Sequence, residues 1–189
     1  MTKRASVLVL VTLAMVATAC ARHANDAEIR AHFQAKQQPS APPPQANEAG
    51  MYPTPFTADQ IRDATKAGRT YKYKIEAEGS PSGERVMTFV KVDAEGADLV
   101  TDGSAPKRVT WEELRKHAEF PKPVVSTRAE KTTTPAGTFD CIVYIVQSPG
   151  EIRTFYFAKD LPGAPVLFFT EKDGKRVMTS TLVDHKPGK

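Results

Sequence analysis

The chain has 189 residues, with 26 lysines and arginines against 22 acidic residues, which gives a formal net charge of +4. Two of those cations, Lys3 and Arg4, lie in a segment with the pattern of a removable export signal, so the rest of the chain carries only +2. That charge gives no argument for a nucleic-acid partner. About 170 residues remain, enough for one domain with its own hydrophobic core.

Residues 1–19 follow the three-part plan of a secretory signal peptide. Lys3 and Arg4 form the positive start, residues 5–16 are mostly apolar, and the small residues 17–19 lead to Cys20. The apolar run is too short for a membrane-spanning helix, which needs about 20 residues. No later run approaches that length, so we expect a protein that is anchored to a membrane but does not span it.

The end of this segment resembles a lipobox, the motif cut by the lipoprotein signal peptidase, although Ala17 stands where leucine is usual. The resemblance implies cleavage just before Cys20 and lipid attachment to its thiol. Two or more acyl chains make such an anchor stable. Residue 21 is Ala rather than Asp, which favours the outer membrane over the inner one. Cleavage by the ordinary signal peptidase is the alternative, because Ala17-Thr18-Ala19 also fits its preference.

Residues 20–55 are predicted to be the lipidated N-terminus and a disordered tether. Residues 34–55 are rich in Gln, Ala and Pro and contain few large apolar side chains that could stabilise a fold. Proline-rich chain extends by about 3.1 Å per residue, so the tether holds the following domain several nanometres from the bilayer. A capping-box pattern at Asn25–Glu28, with Ile29 and Phe33 four residues apart, predicts a short helix within it.

The folded domain is predicted to occupy residues 56–189 and to begin with a helix. Thr57-Ala-Asp-Gln60 has the form of a capping box and Gly68 provides a stop, with Ile61 and Ala64 facing inward. A second capping box, Thr110-Trp-Glu-Glu113, predicts another helix that ends before Pro121. Its inward-facing residues are Trp111, Leu114 and Ala118.

Most of the domain has a period of two, which indicates strands. In the first strand Tyr71, Tyr73, Ile75 and Ala77 share one face, and polar residues share the other, wet face. Turn signals separate the remaining strands, predicted at residues 84–93, 97–101, 124–133, 138–147, 151–159, 165–171 and 175–185. The sequence therefore predicts an α+β fold: a curved, mostly antiparallel meander of about eight strands with two short helices.

The strand at 138–147 is apolar on both faces. Phe139, Cys141, Val143 and Ile145 share one face, and the alternate residues Ile142, Tyr144 and Val146 share the other. Such a strand needs something over its second face: a helix, a sheet that curls back, or a bound hydrophobic ligand. The connection at residues 157–165 contains Pro162-Gly163 and Pro165, and we interpret it as a rigid link between strands, with a ligand-contacting loop as the alternative.

The reactive side chains give little support for catalysis. Cys141 has apolar neighbours on its face, which raise a thiol pKa instead of lowering it, so it is interpreted as a buried small hydrophobe. Glu112 and Glu113 are explained by the start of a helix, where acidic side chains are stabilising. The histidines, at positions 23, 32, 117 and 185, have no metal-ligand spacing and are interpreted as solvated. We expect no catalytic residues, no metal and no cofactor.

Residues 134–183 include TPAGTFDCIVYIV, FYFAKDLPGAPVLFF and DGKRVMTSTL. This stretch resembles a pattern in uncharacterised bacterial envelope proteins. More distantly, a helix with an antiparallel meander is similar to the half-barrel carriers of the LolA/LppX type. That similarity implies a curved sheet that holds acyl chains, and it transfers no binding residue to a numbered position.

The expected function is that of a non-enzymatic envelope lipoprotein, a binding or assembly module held to the membrane through Cys20. Two alternatives remain at this stage: a carrier or sensor of a hydrophobic ligand such as an acyl chain, and an accessory subunit of an envelope complex. The expected partners are therefore the membrane, a hydrophobic ligand or another envelope protein. An apolar cavity of at least ~300 Å3 separates the carrier from a protein whose core is filled.

Overall fold

The computed structural model describes residues 50–189. The predicted signal peptide, Cys20, the short helix near Ile29, His23, His32 and nearly all of the tether lie outside the described residues. Among residues 50–189 no helix has the length and apolarity needed to cross a bilayer.

Nine strands, two short α-helices and one 3-10 turn make up the described part of the chain. The helices are α1 (Ala58–Ala64) and α2 (Trp111–Lys116), and the 3-10 turn is Lys122–Val124. The strands are β1 (Thr70–Ala77), β2 (Gly83–Val92), β3 (Gly96–Thr101), β4 (Lys107–Thr110), β5 (Val125–Thr134), β6 (Gly137–Ser148), β7 (Glu151–Ala158), β8 (Leu167–Lys172) and β9 (Lys175–Lys186).

Both predicted capping boxes are present. The Thr57 hydroxyl accepts from the Gln60 amide while the Gln60 side chain accepts from the Thr57 amide. Thr110 and Glu113 make the same reciprocal pair at the start of α2. Each box satisfies amides that the first turn of a helix leaves without a partner. The helix α1 is shorter than predicted, since it ends at Ala64 rather than near Gly68.

The strands form a single antiparallel sheet in the order β4-β3-β2-β1-β9-β8-β7-β6-β5. The prediction of an antiparallel meander with two helices is confirmed, with one addition. Strand β4 was not predicted because its four residues show no alternation long enough to detect. It also interrupts the meander, because β4 and β5 are the two edges of the sheet and α2 lies in the connection between them.

The sheet is curved, and its two faces differ. Strand β9 contacts β5 although three strands lie between them. The strand register places Tyr71, Met87, Leu99, Phe155 and Phe157 on the same face, which we call the concave face. The helices lie over it. On the opposite face of β1, Lys72 pairs with Glu84 and Lys74 pairs with Glu76, which confirms the predicted wet side.

Residues just before α1 cover one end of the concave face. Tyr52 and Phe56 are buried, with their rings edge-on to those of Tyr144 and Phe157. The Tyr144 hydroxyl donates to the Pro53 carbonyl at 2.7 Å. This packing explains why β6 is apolar on both faces, since Tyr144 lies under this segment while Cys141 and Val143 are buried on the opposite side.

Candidate ligand-binding cavity

A cavity of about 520 Å3 lies between the concave face and the helices. Helix α1 contributes Ile61, and Thr65, its C-terminal cap, lies beside it. Helix α2 and the residues just after it contribute Leu114, His117 and Ala118. The two capping boxes fix where each helix begins, and therefore which side chains point down into the cavity.

The sheet forms the floor and two opposed walls of the cavity. One wall comes from β2 and β3 through Met87, Leu99 and Thr101, and the other comes from β7 through Phe155 and Phe157. In the sheet order, β7 lies four strands from β2. These two strands can line the same cavity only because the sheet curves around the cavity. The walls are predominantly apolar, as expected for a ligand pocket.

The connection between β7 and β8 closes part of the cavity. Gly163, Ala164 and Pro165 all line it. Gly163 has φ +134°, and a Cβ placed on it would lie 3.1 Å from the Tyr71 hydroxyl oxygen. The interpretation of this segment as only a rigid link was therefore incomplete, because its backbone packs closely on a cavity tyrosine. Strand β8 begins at Leu167, two residues later than predicted, because Pro165 belongs to this wall.

Two tyrosines of β1, Tyr71 and Tyr73, carry buried hydroxyls that have no hydrogen-bond partner among residues 50–189. Their rings stack with centroids 6.2 Å apart, and Tyr71 lines the cavity. Burial raises the pKa of Tyr71 to about 12, an effect that the nearby Arg69 guanidinium partly offsets. Burial also raises the pKa of Tyr73, and the Tyr71 hydroxyl adds to the increase. Both phenols are therefore neutral throughout the physiological range.

Arg69 joins helix α1 to strand β1 behind the cavity. Its side chain is buried and donates to the Ala64 carbonyl at 3.0 Å and to the Thr65 hydroxyl at 3.1 Å. The guanidinium also lies over the Tyr71 ring, 4.9 Å from its centroid. A cation at a helix C-terminus is stabilising, and stacking on an aromatic ring adds to that. Arg69 therefore holds one helix against the sheet.

Lys107 and His117 are the two exposed residues among those that line the cavity. Both also line a neighbouring depression of about 350 Å3, together with Arg108, Glu113 and Lys116. The cavity therefore opens to solvent through a rim, formed by β4 and α2, whose side chains are mainly basic. The interpretation of His117 as a solvated residue agrees with its exposure, but the sequence did not show that it borders a cavity.

The remaining predicted site residues lie away from this cavity. Cys141 is buried on the opposite face of β6, and burial, followed by the nearby carboxylates of Asp160, Asp140 and Glu130, raises its pKa to about 11. His185 was interpreted as solvated, but it is half-buried in β9 with its ring 6.3 Å from that of Phe139. Within residues 50–189, no three His, Cys, Asp or Glu side chains are grouped so that they could hold a metal ion.

No protein-family model and no curated protein matches the chain. Among solved structures, it is similar to MucB in complex with MucA(peri), with TM-score 0.46, 11% identity, and coverage of 68% of this chain and 52% of that one. For the Pseudomonas aeruginosa MucA/MucB complex the TM-score is 0.45 and the identity 10%, with coverage of 68% of this chain and 54% of that one. For a crystal structure of MucB the TM-score is 0.40 and the identity 11%, with coverage of 69% of this chain and 57% of that one. The chain spans little more than half of each of these chains, and similarity at this level assigns no role to the cavity.

Proposed function

We propose that this chain is a membrane-anchored extracytoplasmic module that binds an apolar ligand, such as an acyl chain, in the cavity beneath α1 and α2. The observation that carries the proposal is the cavity of about 520 Å3 on the concave face. A core packed at ordinary density contains few voids larger than a water molecule. The size of this one exceeds the ~300 Å3 lower limit of small-molecule sites.

The chemistry of the walls favours an apolar occupant over water. Phe89, Leu99, Leu114 and Phe157 all line the cavity. An apolar cavity of ~150 Å3 binds benzene. On that scale a cavity of about 520 Å3 accepts roughly twenty carbon atoms, about the size of one long acyl chain.

Anchoring through Cys20 would suit this role, because the ligand would then be exchanged with a nearby membrane. A tether of about 30 residues leaves the domain free to approach the bilayer or another envelope component. We place the anchor in the outer membrane, on the absence of an aspartate at residue 21. The proposal is thus the carrier or sensor version of a binding module, and it includes no catalytic step.

The thiol of Cys141 supports a non-enzymatic role. A nucleophilic cysteine needs a neighbouring base or cation that lowers its pKa. Here burial, followed by the nearby carboxylates, raises the pKa to about 11. Among residues 50–189 the thiol donates to the Phe139 carbonyl at 3.7 Å, a contact that fixes the thiol and does not activate it.

The test compares a variant that obstructs the cavity with one that changes the opposite face of the same strand. Thr101 lines the cavity, whereas its neighbour Val100 points to the other side of β3. The Thr101→Trp substitution adds seven heavy atoms, roughly a third of what the cavity holds. Val100→Trp introduces the same indole on the far face. Both are made in the Cys20→Ser chain, so that no attached lipid competes for the site.

Binding of a fluorescent fatty acid is then measured by titration, and native mass spectrometry gives the stoichiometry. We expect one ligand per chain for the parent and for Val100→Trp, and at least tenfold weaker binding for Thr101→Trp. Equal binding by all three would place the ligand elsewhere, and no binding by the parent would refute the proposal. Binding that requires removal of residues 21–49 would mean that the chain's own N-terminal segment occupies the cavity.

A further inference from the structure

The rim of the cavity differs in chemistry from its interior. The interior residues are buried or half-buried and mainly apolar, whereas Lys107 and His117 at the mouth are exposed and basic. No Asp or Glu is among the residues that line the cavity. A ligand that enters with its apolar part first would leave its other end beside these two side chains.

The depression next to the mouth extends the same character. It shares Lys107, Val109 and His117 with the cavity, so the two spaces adjoin one another. Lys116 adds a further cation from the last residue of α2. With a volume of about 350 Å3, the depression has room for a polar headgroup in addition to the tail.

One carboxylate, that of Glu113, also lines the depression, and it is fixed at the start of α2. The Glu113 carboxylate accepts from the Thr110 amide at 2.7 Å and from its hydroxyl at 3.0 Å, as part of the capping box. Arg108 is paired with Asp93 at 2.6 Å. With Arg108 paired, the remaining charges of the depression are two lysines against one carboxylate, which is a net positive charge.

Among residues 50–189 no carboxylate lies within ion-pair distance of Lys107, whereas lysines such as Lys72, Lys91 and Lys116 each have one. Lys116 has only Glu112, at 4.0 Å, and Glu112 already binds Arg115 at 2.6 Å. Two lysines thus lie at the opening with no carboxylate closer than 4.0 Å among residues 50–189, while the Glu113 charge acts on Lys107 at longer range. A net positive rim next to an apolar cavity is complementary to an anionic amphiphile.

We infer that the ligand is an anionic amphiphile, whose tail fills the cavity and whose phosphate or carboxylate headgroup lies against Lys107, Lys116 and His117. This inference rests on the proposed function and adds the chemical class of the ligand. The lysines are exposed, so their contribution is moderate and screened by salt.

The experiment compares two ligands with the same tail, dodecyl phosphate and dodecanol, on the full Cys20→Ser chain. Affinity is measured by displacement of a neutral fluorescent probe at low and at physiological ionic strength. We expect dodecyl phosphate to bind about tenfold more tightly than dodecanol at low salt, with a smaller ratio at higher salt. Lys107→Gln and Lys116→Gln should each weaken dodecyl phosphate binding about fivefold, and the preference for dodecyl phosphate over dodecanol should fall with it.

Lys175→Gln is the matched control, because Lys175 lies in the β8–β9 hairpin and lines neither space. It should change neither affinity. Equal binding of the two ligands, with no effect of the rim lysines, would overturn the inference while leaving the proposed function intact. Failure of both ligands to bind would instead refute the proposed function. Inorganic phosphate that binds as tightly as dodecyl phosphate would identify a phosphate-ion site and overturn the amphiphile.

Discussion

Tyr73 and Tyr144 allow the same substitution, tyrosine to phenylalanine, to be made at two buried sites with opposite expected outcomes. Both side chains are buried in the core around the concave face. In the described part of the chain the Tyr73 hydroxyl has no hydrogen-bond partner, whereas the Tyr144 hydroxyl donates to the Pro53 carbonyl at 2.7 Å. Removal of the Tyr73 oxygen therefore eliminates an unsatisfied polar group, whereas removal of the Tyr144 oxygen breaks a hydrogen bond.

The expected magnitudes follow from the cost of an unsatisfied polar group. A buried hydroxyl without a partner costs about 1–3 kcal/mol relative to its hydrated state, so Tyr73→Phe should stabilise the fold by about 1 kcal/mol. Tyr144→Phe loses a hydrogen bond and leaves the Pro53 carbonyl without it, which should destabilise the fold by about 1–2 kcal/mol. At roughly 2–4 °C per kcal/mol for a domain of this size, the two melting temperatures should differ by roughly 4–12 °C.

Urea denaturation of the Cys20→Ser chain, followed by circular dichroism, measures both free energies of unfolding, and thermal melts give the temperature shift. Tyr71→Phe is a useful third variant, since its hydroxyl is also without a partner but lies next to Gly163 at the cavity wall. A loss of 1 kcal/mol or more in Tyr73→Phe would refute the reasoning, because it would show that the hydroxyl has a partner in solution.

Three further predictions test the sheet, the thiol and the anchor. Gly96→Ala would place a Cβ against the Val109 carbonyl of β4, so we expect a loss of about 2–3 kcal/mol in urea unfolding, whereas Gly83→Ala meets nothing and should be neutral within about 0.5 kcal/mol. Equal effects would mean that β3 and β4 are not paired as described. In the Cys20→Ser chain, Cys141 should resist thiol reagents at pH 8, because a pKa of about 11 leaves roughly one thiolate in a thousand, and should react quickly in urea; rapid labelling of the native chain would contradict its burial. Replacement of Cys20 by serine should move the protein out of the membrane fraction of cells, and unchanged fractionation would show that it is not the lipidation site.

The strands and helices of this domain could be predicted because their signals are local. The capping boxes at Thr57 and Thr110 lie within four residues of chain, and the alternation in β1 and β6 extends over eight residues or more. The burial of Tyr144 on one face of β6 and of Cys141 on the other could also be predicted, because apolar residues occupy both sets of alternate positions in this strand. Strand β4, with four residues and no clear alternation, contains too little pattern to detect.

The cavity could not be predicted in the same way. Phe155 and Met87 are far apart in the chain, and only the curvature of the sheet places them around one space. Lys107 becomes a rim residue because β4 pairs at the edge of the sheet, a pairing that the sequence did not reveal. His117 was examined as a metal ligand, but the informative feature is its place beside that lysine. The double-sided strand predicted a helix, a sheet that curls back or a ligand over its second face, whereas the segment around Tyr52 and Phe56 packs there on Tyr144.

The size of the covering elements explains why a space remains. Nine strands at about 4.8 Å spacing make a sheet roughly 43 Å wide, measured along its curve. Helices of seven and six residues are each only about 10 Å long. Residues around Tyr52 and Phe56 cover the end near Tyr144, and between them and the opposite edge the described residues place these two helices and the β7–β8 connection over the concave face. A protein that needed only a stable core would gain stability from longer helices or larger side chains at positions such as Ala118 and Ala164, which line the cavity. Short, capped helices and small residues such as Ala118 and Ala164 leave room for an apolar ligand. The Thr101→Trp experiment tests whether such a ligand binds there.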